Sequence, residues 1–158
     1  MTDAKSLVDL IAQIDEETEL MLFEPKERNQ TVEQQESFLK EIEHSPSKAM
    51  FVAEYEHKFI GFVVGIGGIA NRNRHCCYII IGVLKEYWGK GTAQQLLSNL
   101  ESWAKDNKMH RLELTVMAHN QRAIALYEKF GFEGEGIKRD SMFVGGKFAN
   151  EFYMSKLI

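Results

Sequence analysis

One stretch decides the fold of this chain: Val83-Leu84-Lys85-Glu86-Tyr87-Trp88-Gly89-Lys90-Gly91-Thr92-Ala93. It joins a continuous apolar run rich in Ile and Val to the start of an amphipathic helical pattern. Two glycines one residue apart let the main chain turn tightly and point successive N–H groups outward, and a helix N-terminus adds about half a positive charge there. The stretch therefore predicts a strand, a loop and a helix that form an anion site suited to a phosphate or pyrophosphate.

Two well-known phosphate motifs do not fit this loop. A Walker A loop needs Gly, four residues and then Gly-Lys-Ser/Thr, but Leu84 stands in place of the first glycine and Gly91 follows Gly89-Lys90. A dinucleotide fingerprint needs Gly-x-Gly-x-x-Gly, and Gln94 stands in place of its third glycine. On these residues alone, a phosphate site and an ordinary strand-to-helix junction are equally compatible with the loop.

Hydrophobic periodicity predicts the rest of the chain as one α+β domain, residues 1–158. Apolar residues spaced three and four apart predict four helices, at about residues 4–16, 31–44, 93–104 and 120–130. Alternating or continuous apolar runs predict six strands, at 49–55, 59–66, 76–84 and 112–116 and in a last hairpin within 132–157. The run at 76–84 is typical of a strand that is buried on both faces. The order is α α β β β α β α β β, with a β-loop-α-β crossover in the middle.

Composition and charge exclude several classes of protein. The chain is 44% hydrophobic and 27% charged, which is ordinary for a globular protein and excludes intrinsic disorder. A net charge of −4 argues against nucleic acid as a partner, and no apolar run approaches the ~18 residues of a membrane span. The start of the chain has no signal-peptide pattern, and the adjacent Cys76 and Cys77 are typical of reduced, buried thiols. We therefore expect a cytoplasmic protein.

A second informative segment follows the long helix: Asn120-Gln121-Arg122-Ala123-Ile124-Ala125-Leu126-Tyr127-Glu128-Lys129-Phe130-Gly131-Phe132. It combines a helix capped by Asn120, a tyrosine on the inner face of that helix and a Gly-Phe stop. Taken singly, Asn120 is an ordinary cap and Tyr127 an ordinary core aromatic. The pair of segments together is much more specific.

Together the two segments resemble the GNAT superfamily of acyl-CoA-dependent N-acetyltransferases. The family's pyrophosphate motif, Gln/Arg-x-x-Gly-x-Gly/Ala, reads Trp88-Gly89-Lys90-Gly91-Thr92-Ala93 here. The family's later motif, Asn-x-x-Ala-x-x-Leu-Tyr-x-Lys-x-Gly-Phe, is matched by Asn120, Ala123, Leu126, Tyr127, Lys129, Gly131 and Phe132. The resemblance covers about residues 49–158, and the hairpin around Ala53-Glu54 and Ile60-Gly61-Phe62 is similar to the family's central strands.

The resemblance implies a mixed, mostly antiparallel central sheet flanked by about four helices, with the βαβ crossover at the CoA site. The chain departs from the family in two places. Trp88 replaces the usual Gln or Arg, which removes a side-chain donor but leaves the main-chain N–H groups in place. The helical stripe that begins at Leu7 leaves no room for the strand with which the family usually opens.

The resemblance also implies acetyl-CoA as the co-substrate, with no metal. The end of the buried strand would lend its backbone to the pantetheine arm, and the amides of the loop would hold the pyrophosphate. The predicted cofactor-binding residues are Ile81, Gly82, Val83, Trp88, Gly89, Lys90, Gly91, Thr92, Ala93, Asn120 and Tyr127.

Tyr127 matches the family's general acid by position, and it would protonate the leaving CoA thiolate. Two residues are candidates for the base that deprotonates the amine, Glu113 on the strand after the long helix and His75 at the start of the buried strand. The alternative for Glu113 is a side chain that faces solvent or a basic neighbour. The alternative for His75 is a solvated histidine in a loop. A chain of water molecules is a further alternative.

The acceptor site in this family lies mostly between the early helices and the terminal hairpin. Residues 1–44 carry a net charge of −8 and residues 45–158 carry +4, and the first segment clusters Glu16, Glu17, Glu19, Glu24 and Glu27. We therefore hypothesise a cationic amine acceptor, such as a polyamine, an amino sugar or a protein N-terminus, that is steered by negative potential. A solvated acidic helix face is the alternative. The family's habit of pairing its last strands between subunits allows a homodimer.

The leading hypothesis is an N-acetyltransferase that acts on a primary amine. A non-catalytic CoA-sensing or interaction module on the same fold is the second hypothesis, and Tyr127 favours the enzyme because a sensor needs no proton donor near sulfur. A nucleotide-binding NTPase is disfavoured by the failed phosphate-loop patterns.

Overall fold

The computed structural model describes residues 3–158. The helices are α1 (Asp3–Glu17), α2 (Val32–His44), α3 (Thr92–Asp106) and α4 (Gln121–Lys129). The strands are β1 (Lys48–Tyr55), β2 (Lys58–Gly67), β3 (Cys76–Val83), β4 (Arg111–Met117), β5 (Glu133–Val144) and β6 (Lys147–Leu157). A short 3₁₀ turn, Lys85–Tyr87, lies between β3 and α3. All ten predicted elements are present in the predicted order.

The strands form one six-stranded sheet in the order β1-β2-β3-β4-β6-β5. Every neighbouring pair is antiparallel except β3 and β4, which are parallel and are connected by α3. This confirms the predicted mixed sheet and its βαβ crossover. Within residues 3–158 the chain opens with α1 rather than with a strand, so that β1 forms one edge of the sheet.

Helices cover the two faces of the sheet, because successive side chains of a strand point to opposite sides. On one face α3 packs its stripe of Leu97 and Leu100 onto Val63 of β2 and Leu112 of β4. The opposite face of β2 contacts α1, in a cluster that contains Leu7, Leu10, Ile14, Phe62 and Val64. The 3.6-residue stripe of each helix and the two-residue alternation of β2 therefore account for both cores.

The prediction that β3 is buried on both faces was wrong. Cys77 and Ile79 are buried against α3, whereas Tyr78 and Ile80 on the other face keep 38% and 39% of their surface exposed. The second face is apolar because it lines a cavity, which is described below. An apolar run therefore predicted a strand correctly but could not distinguish a second core from the wall of a binding site.

Both cysteines are unpaired thiols. Cys77 is buried, as predicted, and burial raises the pKa of its thiol to about 12. Cys76 is half-buried rather than buried, because it begins β3 next to the polar loop of residues 71–75. No helix within residues 3–158 has the length and apolar character needed to cross a membrane.

Candidate active site

A cavity opens where the two parallel strands separate. The pairing of β3 with β4 ends at Tyr78 and Glu113, although β3 continues to Val83 and β4 to Met117. The diverging ends of the two strands leave a cavity of about 520 Å³ between them. Its walls come from both strands, the N-terminus of α3, helix α4 and the connection between α1 and α2. A gap between parallel strands next to a glycine loop is where a ligand is expected to bind in such a sheet.

The glycine loop leaves the N-terminus of α3 open toward this cavity. Gly89 and Gly91 have φ angles of 71° and 84°, in the left-handed region that favours glycine. The amide of Gln95 donates the first helical hydrogen bond, to the Gly91 carbonyl, so the preceding N–H groups have no helical partner. Gly91 as the N-cap supplies no side-chain bond either. These amides and the helix dipole have the geometry of an anion site, and the binding of a phosphate there stays a prediction.

The Trp88 side chain fixes the loop against β3, and its ring contacts a cationic side chain, Arg122, that sequence reasoning missed. Its indole Nε1 donates a hydrogen bond of 2.8 Å to the Val83 carbonyl. The Arg122 guanidinium from α4 lies over the indole ring, 3.2 Å from the ring centre. Arg122 therefore places at the loop a positive charge that the usual Arg in place of Trp88 would have brought. The sequence signal that could have found Arg122 is its position two residues after the helix cap Asn120.

Helix α4 presents Tyr127 to the same cavity. The Asn120 side chain caps α4 by accepting from the Ala123 amide at 3.2 Å, and this fixes where the helix begins. Tyr127 follows two turns later, is 7% exposed and packs its ring 5.7 Å from that of Phe132. Burial raises the pKa of Tyr127 above its ordinary value, and the Tyr78 hydroxyl raises it further while Arg122 lowers it. The phenol is therefore protonated at neutral pH and can donate a proton.

Residues 11–132 match the family model described as acetyltransferase (GNAT) family, which covers both the glycine loop and α4. The chain belongs to the GNAT acetyltransferase family. A crystal structure of a GNAT acetyltransferase from Streptococcus pneumoniae superposes with a TM-score of 0.95 at 32% identity, over 99% of this chain and 94% of that chain. The fold class and the family resemblance read from the sequence are thereby confirmed.

Two relatives from Escherichia coli strain K12 have named acceptors. The ribosomal protein uS5-alanine N-acetyltransferase is 27% identical over 90 residues, which are 54% of this chain and 46% of that enzyme. The spermidine N(1)-acetyltransferase is 30% identical over 112 residues, which are 70% of this chain and 59% of that enzyme. The chain thus spans about half the length of these curated relatives.

In this GNAT chain, all but one of the predicted cofactor-binding residues line the cavity. The exception is Lys90, whose ammonium group instead lies 5.2 Å from the centre of the Tyr87 ring. The ones that line it are Ile81, Gly82, Val83, Trp88, Gly89, Gly91, Thr92, Ala93, Asn120 and Tyr127. The structure therefore brings together side chains that are separated by up to a third of the chain, and their role in binding CoA stays a prediction.

The structure does not bring either base candidate to Tyr127. Glu113 accepts a hydrogen bond of 2.6 Å from Arg111, so it has the basic neighbour that the sequence left open as the alternative. Arg111 also holds Glu135 with two bonds, of 2.7 and 2.6 Å. His75 has an exposed side chain next to the polar loop. Neither Glu113 nor His75 lines the cavity, because Glu113 lies where β3 and β4 are still paired and His75 ends the loop before β3.

A line of polar side chains that sequence reasoning missed crosses the cavity wall on β3, β4 and β6. The Tyr78 hydroxyl and Thr115 Oγ1 are 3.0 Å apart. Glu151 on β6 is 8% exposed, and its Oε2 accepts from Ser141 at 2.8 Å and from Lys138 at 3.2 Å. Burial raises the pKa of Glu151, but hydrogen bonds from Ser141, Lys138 and Thr115 outweigh burial and lower it overall. Glu151 is therefore an ionised carboxylate at the cavity.

The connection between α1 and α2, residues 18–31, forms the remaining wall. Its cavity-lining residues are mostly apolar: Thr18, Leu20, Met21, Leu22, Phe23 and Arg28. None of the five glutamates from which the sequence predicted a cationic acceptor is among them. Glu17, for example, accepts the Lys85 amide at 2.7 Å instead. The charged side chain that this connection does place at the cavity, Arg28, has the opposite sign.

Proposed function

We propose that this chain transfers an acetyl group from acetyl-CoA to a primary amine. One observation carries the proposal: the uncapped N-terminus of α3 and the protonated phenol of Tyr127 line the same cavity. The first is suited to the pyrophosphate of CoA and the second to its sulfur. A nucleotide hydrolase would need the helix N-terminus to bind phosphate but has no use for a phenol that protonates sulfur.

The residues present fit a CoA molecule along the cavity. The amides that precede Gln95 and the guanidinium of Arg122 would hold the phosphates. Beyond Tyr78 the edge of β3 has no strand partner on the β4 side within residues 3–158, so it is available to the amide groups of the pantetheine arm. Acetyl-CoA supplies the acetyl group as an activated thioester.

In the proposed reaction the amine nitrogen forms a bond to the acetyl carbon as the bond between that carbon and sulfur breaks. The amine must be neutral to attack, so it loses one proton first, and the departing thiolate gains one. Tyr127 donates that proton to the departing thiolate, since its raised pKa keeps the phenol protonated until the thiolate leaves. Tyr127 regains a proton from solvent. Holding amine and thioester together in one cavity provides much of the acceleration.

The positions of Glu113 and His75 favour the third alternative for the amine's proton, a chain of water molecules through the open cavity. Glu113 is held by Arg111, and His75 lies in the exposed loop outside the cavity. Removing either side chain is therefore expected to leave turnover nearly unchanged.

The proposal covers small-molecule amines, polyamines and protein N-termini as acceptors. As their names state, one relative acts on the alanine of ribosomal protein uS5 and another on spermidine, so the family likeness does not choose among these classes. A homodimer stays a prediction, and analytical ultracentrifugation of the purified chain would test it.

The experiment is release of CoA thiol from acetyl-CoA, followed colorimetrically across amines, amino acids, polyamines and peptides. We expect at least one acceptor to be turned over well above the hydrolysis seen with no acceptor, and mass spectrometry to find the acetylated amine. Binding of CoA without turnover of any amine would favour the second hypothesis, a CoA-sensing module. Binding of ATP in preference to CoA would contradict both.

A further inference from the structure

Among residues 3–158, four charged side chains line the cavity: Arg28, Arg122, Lys129 and Glu151. Arg122 and Lys129 belong to α4, and Arg122 stacks on Trp88 beside the glycine loop. Arg28 and Glu151 come from the two segments that form the remaining wall, residues 18–31 and β6. Outside the glycine loop and α4, the described residues therefore give the cavity one cation and one anion.

Arg28 is held in place by two contacts. Its Nε donates to Asp15 Oδ2 at 2.9 Å, and its guanidinium lies over the Phe23 ring, 4.2 Å from the ring centre. Asp15 is only 2% exposed, so this carboxylate is anchored in α1. The plane of the guanidinium is therefore fixed by an ion pair on one edge and a ring on one face.

The remaining edge of Arg28 is left without a protein partner. Within residues 3–158, Nη1 and Nη2 donate no hydrogen bond to a protein acceptor. Asp15 Oδ1 is also buried and without a donor, so the pair uses only one oxygen where two parallel bonds could form. Arg28 lines the cavity, and its Nη edge carries donors that no protein acceptor among residues 3–158 uses.

Glu151, on β6, is the one anionic side chain among the charged residues of 3–158 that line the cavity. Its carboxylate is buried and ionised, and it lies next to the hydroxyl line of Tyr78 and Thr115. Ser141 and Lys138 already donate to its Oε2, so Oε1 is the oxygen that an ammonium group in the cavity would use. Apolar side chains of Leu20, Phe23 and Met142 line the space with it.

We propose that the acceptor is a small amino-carboxylate, such as a free amino acid. Its carboxylate binds the Nη edge of Arg28, and its ammonium group lies against Glu151 until it loses a proton to become the nucleophile. The inference rests on the acetyl transfer proposed above and names its substrate class. A guanidinium fork matches a carboxylate with two parallel bonds, whereas it repels a polyamine.

The test compares acceptors that differ only in the carboxylate. Each proteinogenic L-amino acid is assayed with acetyl-CoA beside its carboxamide and its decarboxylated amine. Spermidine and an alanine-starting peptide are included as the other classes. We expect the best amino acid to exceed its carboxamide by about 10- to 100-fold in kcat/KM, since one charge-assisted pair is lost. A carboxamide, spermidine or peptide that equals or exceeds every free acid would overturn the inference.

The matched variants are Arg28→Gln and Glu151→Gln. Arg28→Gln should raise KM for the amino acid about 10- to 100-fold and raise KM for the carboxamide much less, because the amide oxygen accepts from the guanidinium without the charge assistance that a carboxylate gains. Glu151→Gln should lower kcat/KM for acid and carboxamide alike, because both carry the amine. Equal losses for acid and carboxamide in Arg28→Gln would indicate a purely structural arginine and contradict the proposal.

Removing Arg28 alone leaves the Asp15 carboxylate buried without its counter-charge. The double variant Asp15→Asn, Arg28→Gln removes both charges and is the version to use if the single variant unfolds early. Calorimetric binding of amino acids to the chain saturated with CoA gives a readout that needs no turnover. Acids that bind no tighter than their carboxamides would refute the carboxylate site, whereas acids that bind selectively without being acetylated would refute only the proposed function.

Discussion

The two ends of the cavity are built from different parts of the polypeptide. The proposed phosphate end is mostly main chain from one short run, residues 88–94, whose amides need no particular side chain. The proposed acceptor end is made of side chains from distant places, Arg28, Tyr78, Thr115 and Glu151. A main-chain site is expected to tolerate substitution, so we expect Trp88 in place of the usual Gln or Arg to leave CoA binding intact. A side-chain site changes its specificity with each residue.

The helix caps show the same division. Thr31 and Gln34 close the N-terminus of α2 with a capping box, and Asn120 closes that of α4 with its own side chain. Helix α3 has Gly91 as its N-cap and no side-chain cap. A side-chain cap satisfies one or two of the first four amides of a helix, so fewer of them remain for a ligand. Among α2, α3 and α4, helix α3 therefore has the most amides available for an anion.

The largest expected effect is at Tyr127, where the two ends meet. Tyr127→Phe removes only the hydroxyl, so we expect kcat to fall about 10²- to 10⁴-fold, the usual contribution of a general acid. The dissociation constant of CoA, measured by calorimetry, should stay within about twofold because the main-chain cradle is intact. A variant that keeps full activity would show that solvent protonates the thiolate and would remove Tyr127 from the chemistry.

The glycine loop and the start of α3 could be predicted from sequence because their information is local. Glycine at φ angles of 71° and 84° and a helix that starts directly afterwards leave a pattern in consecutive residues. The ten elements followed for the same reason, since periodicity and caps are short-range signals. The capping box at Thr31 and the Asn120 cap were both found where the spacing placed them.

The acceptor end could not be predicted because its residues meet only through the sheet. Glu151 reaches the cavity because β6 pairs with β4, and Arg28 because the connection after α1 passes over β3. The net charge of the first segment led to the opposite prediction. Its five glutamates suggested a cationic acceptor, yet the charged side chain that the connection between α1 and α2 places at the cavity is Arg28. Summed charge describes the surface of a segment and says nothing about which side chain points inward.

A smaller effect is expected from Gly91→Val, which puts a β-branched residue at a φ of 84°. The loop must either bear about 1–3 kcal/mol of strain or shift its amides, so we expect acetyl-CoA to bind roughly 5- to 100-fold more weakly. Gly146→Val is the matched control, because Gly146 has a φ of 78° in the β5–β6 turn, outside the cavity. It should lower the melting temperature without changing the affinity for acetyl-CoA. Equal affinities in the two variants would contradict a main-chain cradle at residue 91.

The smallest effect is expected at Asn120. A role as helix cap and a role as cofactor contact predict different results for this residue. Its Oδ1 is already used by the Ala123 amide, so we expect Asn120→Ala to lower the free energy of unfolding by about 1 kcal/mol. Asn120→Ser keeps a capping oxygen, so its free energy of unfolding should fall by only a few tenths of a kcal/mol. Urea denaturation would measure both losses. The affinity for acetyl-CoA should change less than about twofold in either variant. If both variants instead keep their stability and bind acetyl-CoA more weakly, Asn120 belongs to the phosphate end, and a side chain contributes there beside the main chain.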